Sequence, residues 1–168
     1  MKIIFLDVDG ELTYSAYRNK DTEDIDIEKV KMLKHICDST GSKVVISSSW
    51  RLNDVDYKIL VGILTNNGID VIDKTVYIEE ECLDNVPEWI FQTNVEDYDF
   101  NIKHGTGRAA EVEQWINEHN VESFVILDDE DWNWVEYGYD KNWVQPSWFD
   151  GGLKQEHVDD AIRILNGE

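Results

Sequence analysis

The most constraining feature of this sequence is an apolar segment at its start that leads into two aspartates. Residues 3–6 and Val8 form a nearly continuous apolar run, and Asp7 and Asp9 stand on either side of Val8. Such a run is typical of a central strand in a parallel sheet that is covered on both faces. Side chains two residues apart on an extended segment point the same way, so these two carboxylates repel unless they share a cation or a proton. The pair indicates a metal or catalytic site at a strand end; a turn closed by Gly10 is the alternative.

Apolar strands and amphipathic helices alternate along the rest of the chain. The periodicity predicts strands at 43–47, 69–72, 124–127 and about 143–145, and helices at 27–39, about 54–67, 108–118 and about 155–165. Asp26 is expected to cap the first helix, and Asn53 or Asp54 the second. This alternation predicts parallel crossovers and an α/β fold, a three-layer sandwich around a central parallel sheet.

Two polar segments interrupt this pattern. The first, 13–26, is predicted to be a loop over the end of the first strand. The second, about 74–107, carries acidic clusters and is longer than a usual connection, so we interpret it as a small insertion, a hairpin or flap, with no large cap domain. We expect a single domain over residues 1–168.

The charge of the chain limits its partners. A net charge of −21 favours a soluble monomer and makes nonspecific binding to nucleic acid or anionic lipid unlikely. The two cysteines, Cys37 and Cys82, are widely spaced, which disfavours a disulfide framework or a cysteine zinc site. Neither a signal peptide nor an apolar segment of about 20 residues is present, so we expect a cytoplasmic protein that does not enter a membrane.

Polar side chains directly follow three of the predicted strands. They are Asp7 and Asp9, then Ser47, then Asp128 and Asp129. Because the carboxyl ends of parallel strands share one edge of the sheet, these groups are expected to converge, and Arg108 or Lys103 could add a cation. Carboxylates can hold Mg²⁺, attack phosphorus or move a proton, while a hydroxyl and a cation stabilise the transferred oxygens. The set is therefore suited to phosphoryl transfer.

Four motifs in this order resemble the haloacid dehalogenase (HAD) superfamily of phosphatases. They are DVDGEL, VVISSSWR, RAAEVEQWI and FVILDDEDW, and the tail DGGLKQEHVDDAIRIL resembles the closing helix of that superfamily. The SSSWR string, with the later Arg-led helix and LDD strand end, is similar in particular to the HAD domain found in some RNA repair proteins. The resemblance implies a Rossmann-like core and a Mg²⁺-dependent phosphomonoester hydrolase.

The resemblance also assigns roles to individual residues. It makes Asp7 the nucleophile that becomes an aspartyl phosphate. It makes Asp9 the acid that protonates the leaving oxygen and later activates water, with its backbone carbonyl on Mg²⁺. Ser47 would bind a phosphate oxygen. Glu11 departs from the pattern, because the superfamily usually has threonine or valine at this position.

Two assignments from the resemblance remain open. Arg108 would replace the usual lysine as the cation on the phosphoryl group, with Lys103 as the other candidate. Asp128 and Asp129 would complete the metal site together with Asp7, and either of the two could be the inner-sphere ligand.

Several residues have two interpretations. Ser48 could bind substrate or cap the following turn. Arg51 could contact a substrate phosphate or form a surface ion pair. Trp132 and Trp134 could stack on a base, although packing is the more common role of tryptophan.

Two functions from different classes remain. The first is the phosphatase, which would act on a phosphorylated small molecule or on the end phosphate of a nucleotide or nucleic acid. The alternative is a non-catalytic acidic binding protein on the same fold, a pseudophosphatase or nucleic-acid mimic, which the charge of −21 favours.

Overall fold

The computed structural model describes residues 1–78 and 107–168. Its strands are β1 (Lys2–Leu6), β2 (Lys43–Ile46), β3 (Val71–Lys74), β4 (Ser123–Leu127) and β5 (Trp143–Val144). They form one parallel sheet in the order β3-β2-β1-β4-β5. The α-helices in the same residues are α1 (Ile27–Thr40), α2 (Asp54–Asn66), α3 (Gly107–Glu118) and α4 (Gln155–Leu165).

The sheet separates two apolar clusters, one on each face. Ile4 and Leu6 of β1 belong to the cluster that contains the buried residues of α1, α2 and α4. Ile3 and Phe5 belong to the other cluster, with Ala109, Val112 and Trp115 of α3. Because alternate residues of β1 point to opposite faces of the sheet, the apolar residues 3–6 are buried on both faces. The predicted three-layer α/β fold with a central parallel sheet is confirmed.

Local signals in the sequence account for the ends of the first two helices. The Asp26 side chain accepts a hydrogen bond from the Glu28 amide at the start of α1, and Gly41 ends α1 with a φ of 70°. Of the two candidates for capping α2, the structure selects Asn53, whose side chain accepts from the amides of Val55 and Asp56. These caps satisfy amides that have no partner within the helix.

Strand β3 begins two residues later than its apolar pattern predicts. The amide of Ile69 donates to the carbonyl of Leu64 at 3.1 Å, so Ile69 still completes the end of α2. The pairing of β2 with β3 also shifts between Val44 and Val45. Most of the predicted insertion, residues 79–106, lies outside the described residues. None of the helices in the described ranges is long and apolar enough to span a bilayer.

Candidate active site

The register of the sheet brings three predicted site residues to one level. Leu6 of β1 is paired with Ile46 of β2 and with Leu127 of β4. The next residues of these strands are Asp7, Ser47 and Asp128, so they leave the sheet side by side. The backbone continues the ladder at this point, since the amide of Asp7 donates to Leu127 and that of Ser47 donates to Leu6, both at 2.9 Å. The expected convergence at the carboxyl edge therefore occurs.

Arg108, the second residue of α3, lies between two of these carboxylates. Its Nη1 donates to Asp128 at 2.7 Å and lies 3.1 Å from a carboxylate oxygen of Asp7. Burial lowers the pKa of Arg108, but Asp128 and Asp7 outweigh burial and raise it overall. Burial raises the pKa of Asp128, and Arg108 opposes that shift. The guanidinium also lies 4.7 Å from the ring centre of Trp132. One buried cation therefore fixes two strand-end carboxylates.

Three carboxylates form a second group, which we call the acidic triad: Asp7, Glu11 and Asp129. One oxygen from each of the three lies within 4.8 Å of the others. Burial is the main cause that raises the pKa of Glu11 well above its usual range, followed by the charge of Asp7. Burial and Asp7 also raise the pKa of Asp129 to about 6. The triad concentrates negative charge that a bound cation would offset.

A tight turn after β1 brings Glu11 back toward Asp7. The amides of Glu11 and Leu12 both donate to the carbonyl of Val8, and the amide of Gly10 donates to Thr13 at 3.0 Å. Sequence reasoning noted Glu11 only as a departure from the family pattern and did not assign it a role. The available signal was its spacing, since a turn at Gly10 can place residues 7 and 11 on the same side.

Because Gly10 has no side chain, the carboxylate of Asp129 can occupy the space beside it. The φ of Gly10 is 98°, which disfavours any residue with a side chain, and a Cβ at this position would lie 2.2 Å from Cγ of Asp129. Only glycine therefore lets Asp129 approach Asp7. This cradle, together with the carboxylate chemistry of the triad, fits a divalent cation.

Asp9 lies at the same opening but outside the triad. Its exposed carboxylate accepts hydrogen bonds from Thr13 Oγ1 at 2.7 Å and from Trp50 Nε1 at 3.0 Å. These two donors hold the side chain in one orientation while water can still reach it. The geometry suits a group that exchanges protons with a substrate or with water.

Asp7, Asp9, Asp129 and Arg108 open into a cavity of about 450 Å³. The described residues that line it are Asp7, Asp9, Ser49, Arg108, Asp129, Glu130, Trp132, Trp148 and Phe149. Phe149 is 87% exposed at its rim. A larger cavity of about 600 Å³ lies between β5 and α4, and none of the strand-end carboxylates lines it. The smaller cavity is therefore the candidate active site.

Of the other candidate residues in the described ranges, Trp132 lines this cavity, and Ser47, Ser48, Arg51 and Trp134 are not among its lining residues. Ser47 is 2% exposed, and its hydroxyl has no hydrogen-bond partner among the described residues. The buried Ser48 hydroxyl accepts from the Trp50 amide at 3.4 Å, which agrees with the turn-capping interpretation. Trp134 is fully buried, in agreement with a packing role, whereas Trp132 lines the cavity. Lys103 lies outside the described residues.

Arg51 is enclosed by the fold. It is 5% exposed, pairs with Glu111 at 2.6 Å and donates to the backbone carbonyls of Ser48, Thr75 and Val76. The ion pair expected at the surface is therefore buried. All the contacts of Arg51 in the described part of the chain are internal, and they tie α3 to the segment after β3.

Fold and site together define a HAD-type hydrolase domain. The family model described as "HAD domain in Swiss Army Knife RNA repair proteins" matches residues 3–158, so the chain belongs to this family. Among curated proteins, none matches the chain. Family membership confirms the resemblance drawn from the four motifs, and HAD domains generally use a divalent metal ion.

Proposed function

We propose that this protein is a Mg²⁺-dependent phosphomonoester hydrolase that works through an aspartyl phosphate on Asp7. The observation that carries the proposal is the position of Asp7 between Arg108 and the other two carboxylates of the acidic triad, at the cavity of about 450 Å³. A nucleophilic carboxylate needs a cation nearby to bring the phosphate dianion close. Membership of a hydrolase family supports the reaction class.

The carboxylates of Asp7 and Asp129, with the backbone carbonyl of Asp9, are the proposed ligands of the metal. Asp129 is favoured over Asp128 because one of its oxygens lies within 4.8 Å of oxygens of Asp7 and Glu11. The two oxygens of Asp128 instead accept from Arg108 and from the Glu130 amide. When bound, Mg²⁺ offsets the charge of the triad and polarises a phosphate oxygen. Arg108 is the proposed cation on the phosphoryl group, and Lys103 remains the other candidate.

The reaction then has two steps. A carboxylate oxygen of Asp7 attacks phosphorus, the bond from phosphorus to the leaving oxygen breaks, and Asp9 gives that oxygen a proton. Asp9, now a carboxylate, takes a proton from the water that attacks the aspartyl phosphate. Inorganic phosphate leaves and Asp7 is regenerated. The hydrogen bonds from Thr13 and Trp50 orient Asp9 for both transfers.

Ser47 is the proposed hydroxyl donor to a phosphate oxygen. Ser47 follows β2 at the level at which Asp7 follows β1, and its hydroxyl has no hydrogen-bond partner in residues 1–78 and 107–168, so a donor is available. The contacts of Ser48 and Arg51 favour a structural role for both over direct substrate contact.

The rim of the cavity favours a substrate with an aromatic group near the phosphate. Trp132, Trp148 and the exposed Phe149 line the opening, and aromatic side chains of this kind stack on nucleobases. We propose a nucleotide or the phosphorylated end of a short nucleic acid as the substrate class. The net charge of −21 disfavours long contacts with a polynucleotide backbone. The net charge also favours a monomer. We expect the protein to be located in the cytoplasm.

Phosphate release tests this proposal. Purified protein is incubated with a panel of nucleotides, end-phosphorylated oligonucleotides, phosphorylated metabolites and an aryl phosphate, with Mg²⁺ or with a chelator. We expect release from at least one substrate with Mg²⁺, background release with chelator, and background release from the Asp7→Asn variant. If the folded protein releases no phosphate from any substrate of the panel, the proposal is contradicted and the acidic binding protein is favoured instead.

A further inference from the structure

We propose that Glu11 is a direct metal ligand, so that three carboxylates hold the ion before any substrate binds. This inference rests on the metal site of the proposed function, but it does not depend on the substrate or on the phosphoryl transfer. It assigns a role to the residue at which this chain departs from the pattern of its superfamily.

The first observation is that the Glu11 side chain is buried without a partner. Glu11 is 0% exposed, and neither Oε1 nor Oε2 has a hydrogen-bond partner among the described residues. Arg108, the one cation among the described residues that line the cavity, is already engaged by Asp7 and Asp128. A buried carboxylate without a partner is unfavourable unless a cation binds it or a donor forms a hydrogen bond to it.

The second observation is that the fold holds Glu11 in this position. Its amide donates to Val8 at 3.3 Å, and its carbonyl accepts from the Leu153 amide at 3.0 Å. Gly152 packs so closely that a Cβ there would lie 2.8 Å from the Glu11 carbonyl oxygen. The backbone of Glu11 is thus held on both sides. Its side chain is 0% exposed and places one oxygen within 4.8 Å of oxygens of Asp7 and Asp129.

Protonation of Glu11 does not account for the lack of a partner at its carboxyl group. A protonated carboxyl carries an O–H group that also needs an acceptor, and the structure shows no hydrogen bond from Glu11 to Asp7, Asp129 or any other described residue. A divalent ion between the three oxygens, which lie within 4.8 Å of one another, gives each carboxylate a partner at once. An additional anionic ligand also strengthens the binding of the free ion.

Metal affinity measured without any phosphate compound tests the inference. Calorimetric titration with Mg²⁺ and Mn²⁺ binding followed by electron paramagnetic resonance compare the wild type with Glu11→Gln, which keeps the shape and removes the charge. We expect binding weaker by about 100-fold or more in Glu11→Gln, because loss of a charged ligand costs more than the roughly 10- to 100-fold lost with a residue that only supports a ligand. Glu136→Gln, which removes one charge from an exposed position, is the matched control and should bind as the wild type does. Equal affinity of Glu11→Gln and the wild type would overturn the inference.

Thermal unfolding gives a second readout that does not require activity. Without metal, we expect Glu11→Gln and Glu11→Met to unfold at a higher temperature than the wild type, because each removes an unpaired buried carboxylate. With saturating Mg²⁺, the wild type should gain more than either variant. An equal gain in all three proteins would contradict a ligand role. If metal binding depends on Glu11 but no phosphate is released, the proposed function is wrong and the metal site is supported. If Glu11→Gln keeps both its metal affinity and its Mg²⁺-dependent phosphate release, Glu11 is not a metal ligand and the proposed function is supported.

Discussion

Nη1 of Arg108 lies 3.1 Å from a carboxylate oxygen of Asp7. The same nitrogen donates to Asp128, so one guanidinium joins the carboxylates that follow two adjacent strands. A cation in this position compensates the charge of Asp7 and leaves Asp7 accessible from the cavity. Fold stability and the proposed chemistry therefore depend on the same side chain.

Replacement of Arg108 separates these two effects. Arg108→Met leaves Asp7 and Asp128 without their cation, so we expect the free energy of unfolding to fall by about 3 kcal/mol and phosphate release to be lost. Arg108→Lys keeps the charge but replaces the planar fork by a single point donor, so we expect an intermediate loss of both. Denaturant unfolding and phosphate release measure the two quantities. Full activity in Arg108→Met would show that another cation, such as Lys103, serves the phosphoryl group.

Gly10 controls the position of Asp129. In Gly10→Ala the φ of 98° is strained and the new methyl displaces the Asp129 carboxylate, so we expect a loss of about 1–3 kcal/mol in stability and weaker metal binding. Gly62→Ala is the matched control, because Gly62 lies inside α2 with nothing within 4 Å of the added methyl. That control should gain about 0.5–1 kcal/mol. Undiminished metal affinity in Gly10→Ala would exclude Asp129 as a ligand.

The acidic triad predicts a dependence of stability on pH. Burial and Asp7 raise the pKa of Asp129 to about 6, so the metal-free folded state keeps this proton at pH values where the unfolded chain has released it. That contribution is complete below the ordinary carboxyl pKa and is lost as the pH rises through about 6. Glu11, whose pKa is also raised, acts in the same direction. Metal-free protein should therefore unfold at a lower temperature at about pH 7.5 than at about pH 5.

Added Mg²⁺ should reverse this trend, because the ion binds the ionised carboxylates that repel one another in its absence. The gain in melting temperature on adding Mg²⁺ is expected to be larger at about pH 7.5 than at about pH 5. Asp129→Asn should flatten both dependences. A gain that is equal at the two pH values would be inconsistent with metal binding at the triad.

The buried pair Arg51–Glu111 is predicted to contribute to stability rather than to substrate binding. Arg51→Met strands the Glu111 carboxylate, which is 3% exposed, so we expect a loss of about 3–5 kcal/mol with little change in KM. The double variant Arg51→Met, Glu111→Met should lose less than the sum of the single variants. Arg163→Met, which removes an exposed pair with Asp160, is the control and should cost less than about 1 kcal/mol. A large rise in KM with unchanged stability would contradict this prediction and indicate that Arg51 binds the substrate.

The sheet and the grouping of strand-end residues could be predicted because both follow from local patterns. The apolar run before Asp7 predicts a central strand, and parallel pairing then sets Ser47 and Asp128 at the same level. Which of Asp128 and Asp129 pairs with Arg108 could not be predicted, since it depends on where the packing of α3 places the guanidinium.

Burial of charged residues was the part that sequence reasoning missed. Glu11 is buried partly because the distant Leu153 amide donates to its carbonyl. Arg51 is buried because Glu111, 60 residues away, and the carbonyls after β3 surround it. Both depend on long-range packing, which the periodicity of a single segment does not contain.

Detection of a phosphoryl group on Asp7 tests the first step of the proposed reaction. Protein mixed with Mg²⁺ and a phosphate monoester that it hydrolyses is quenched in acid during turnover, and peptides are analysed by mass spectrometry. We expect one added phosphoryl group on the peptide that contains Asp7, and we expect this group to be removed by hydroxylamine and to be missing in Asp7→Asn. Turnover that continues in Asp7→Asn, or a phosphoryl group found on a different residue, would contradict the proposed reaction.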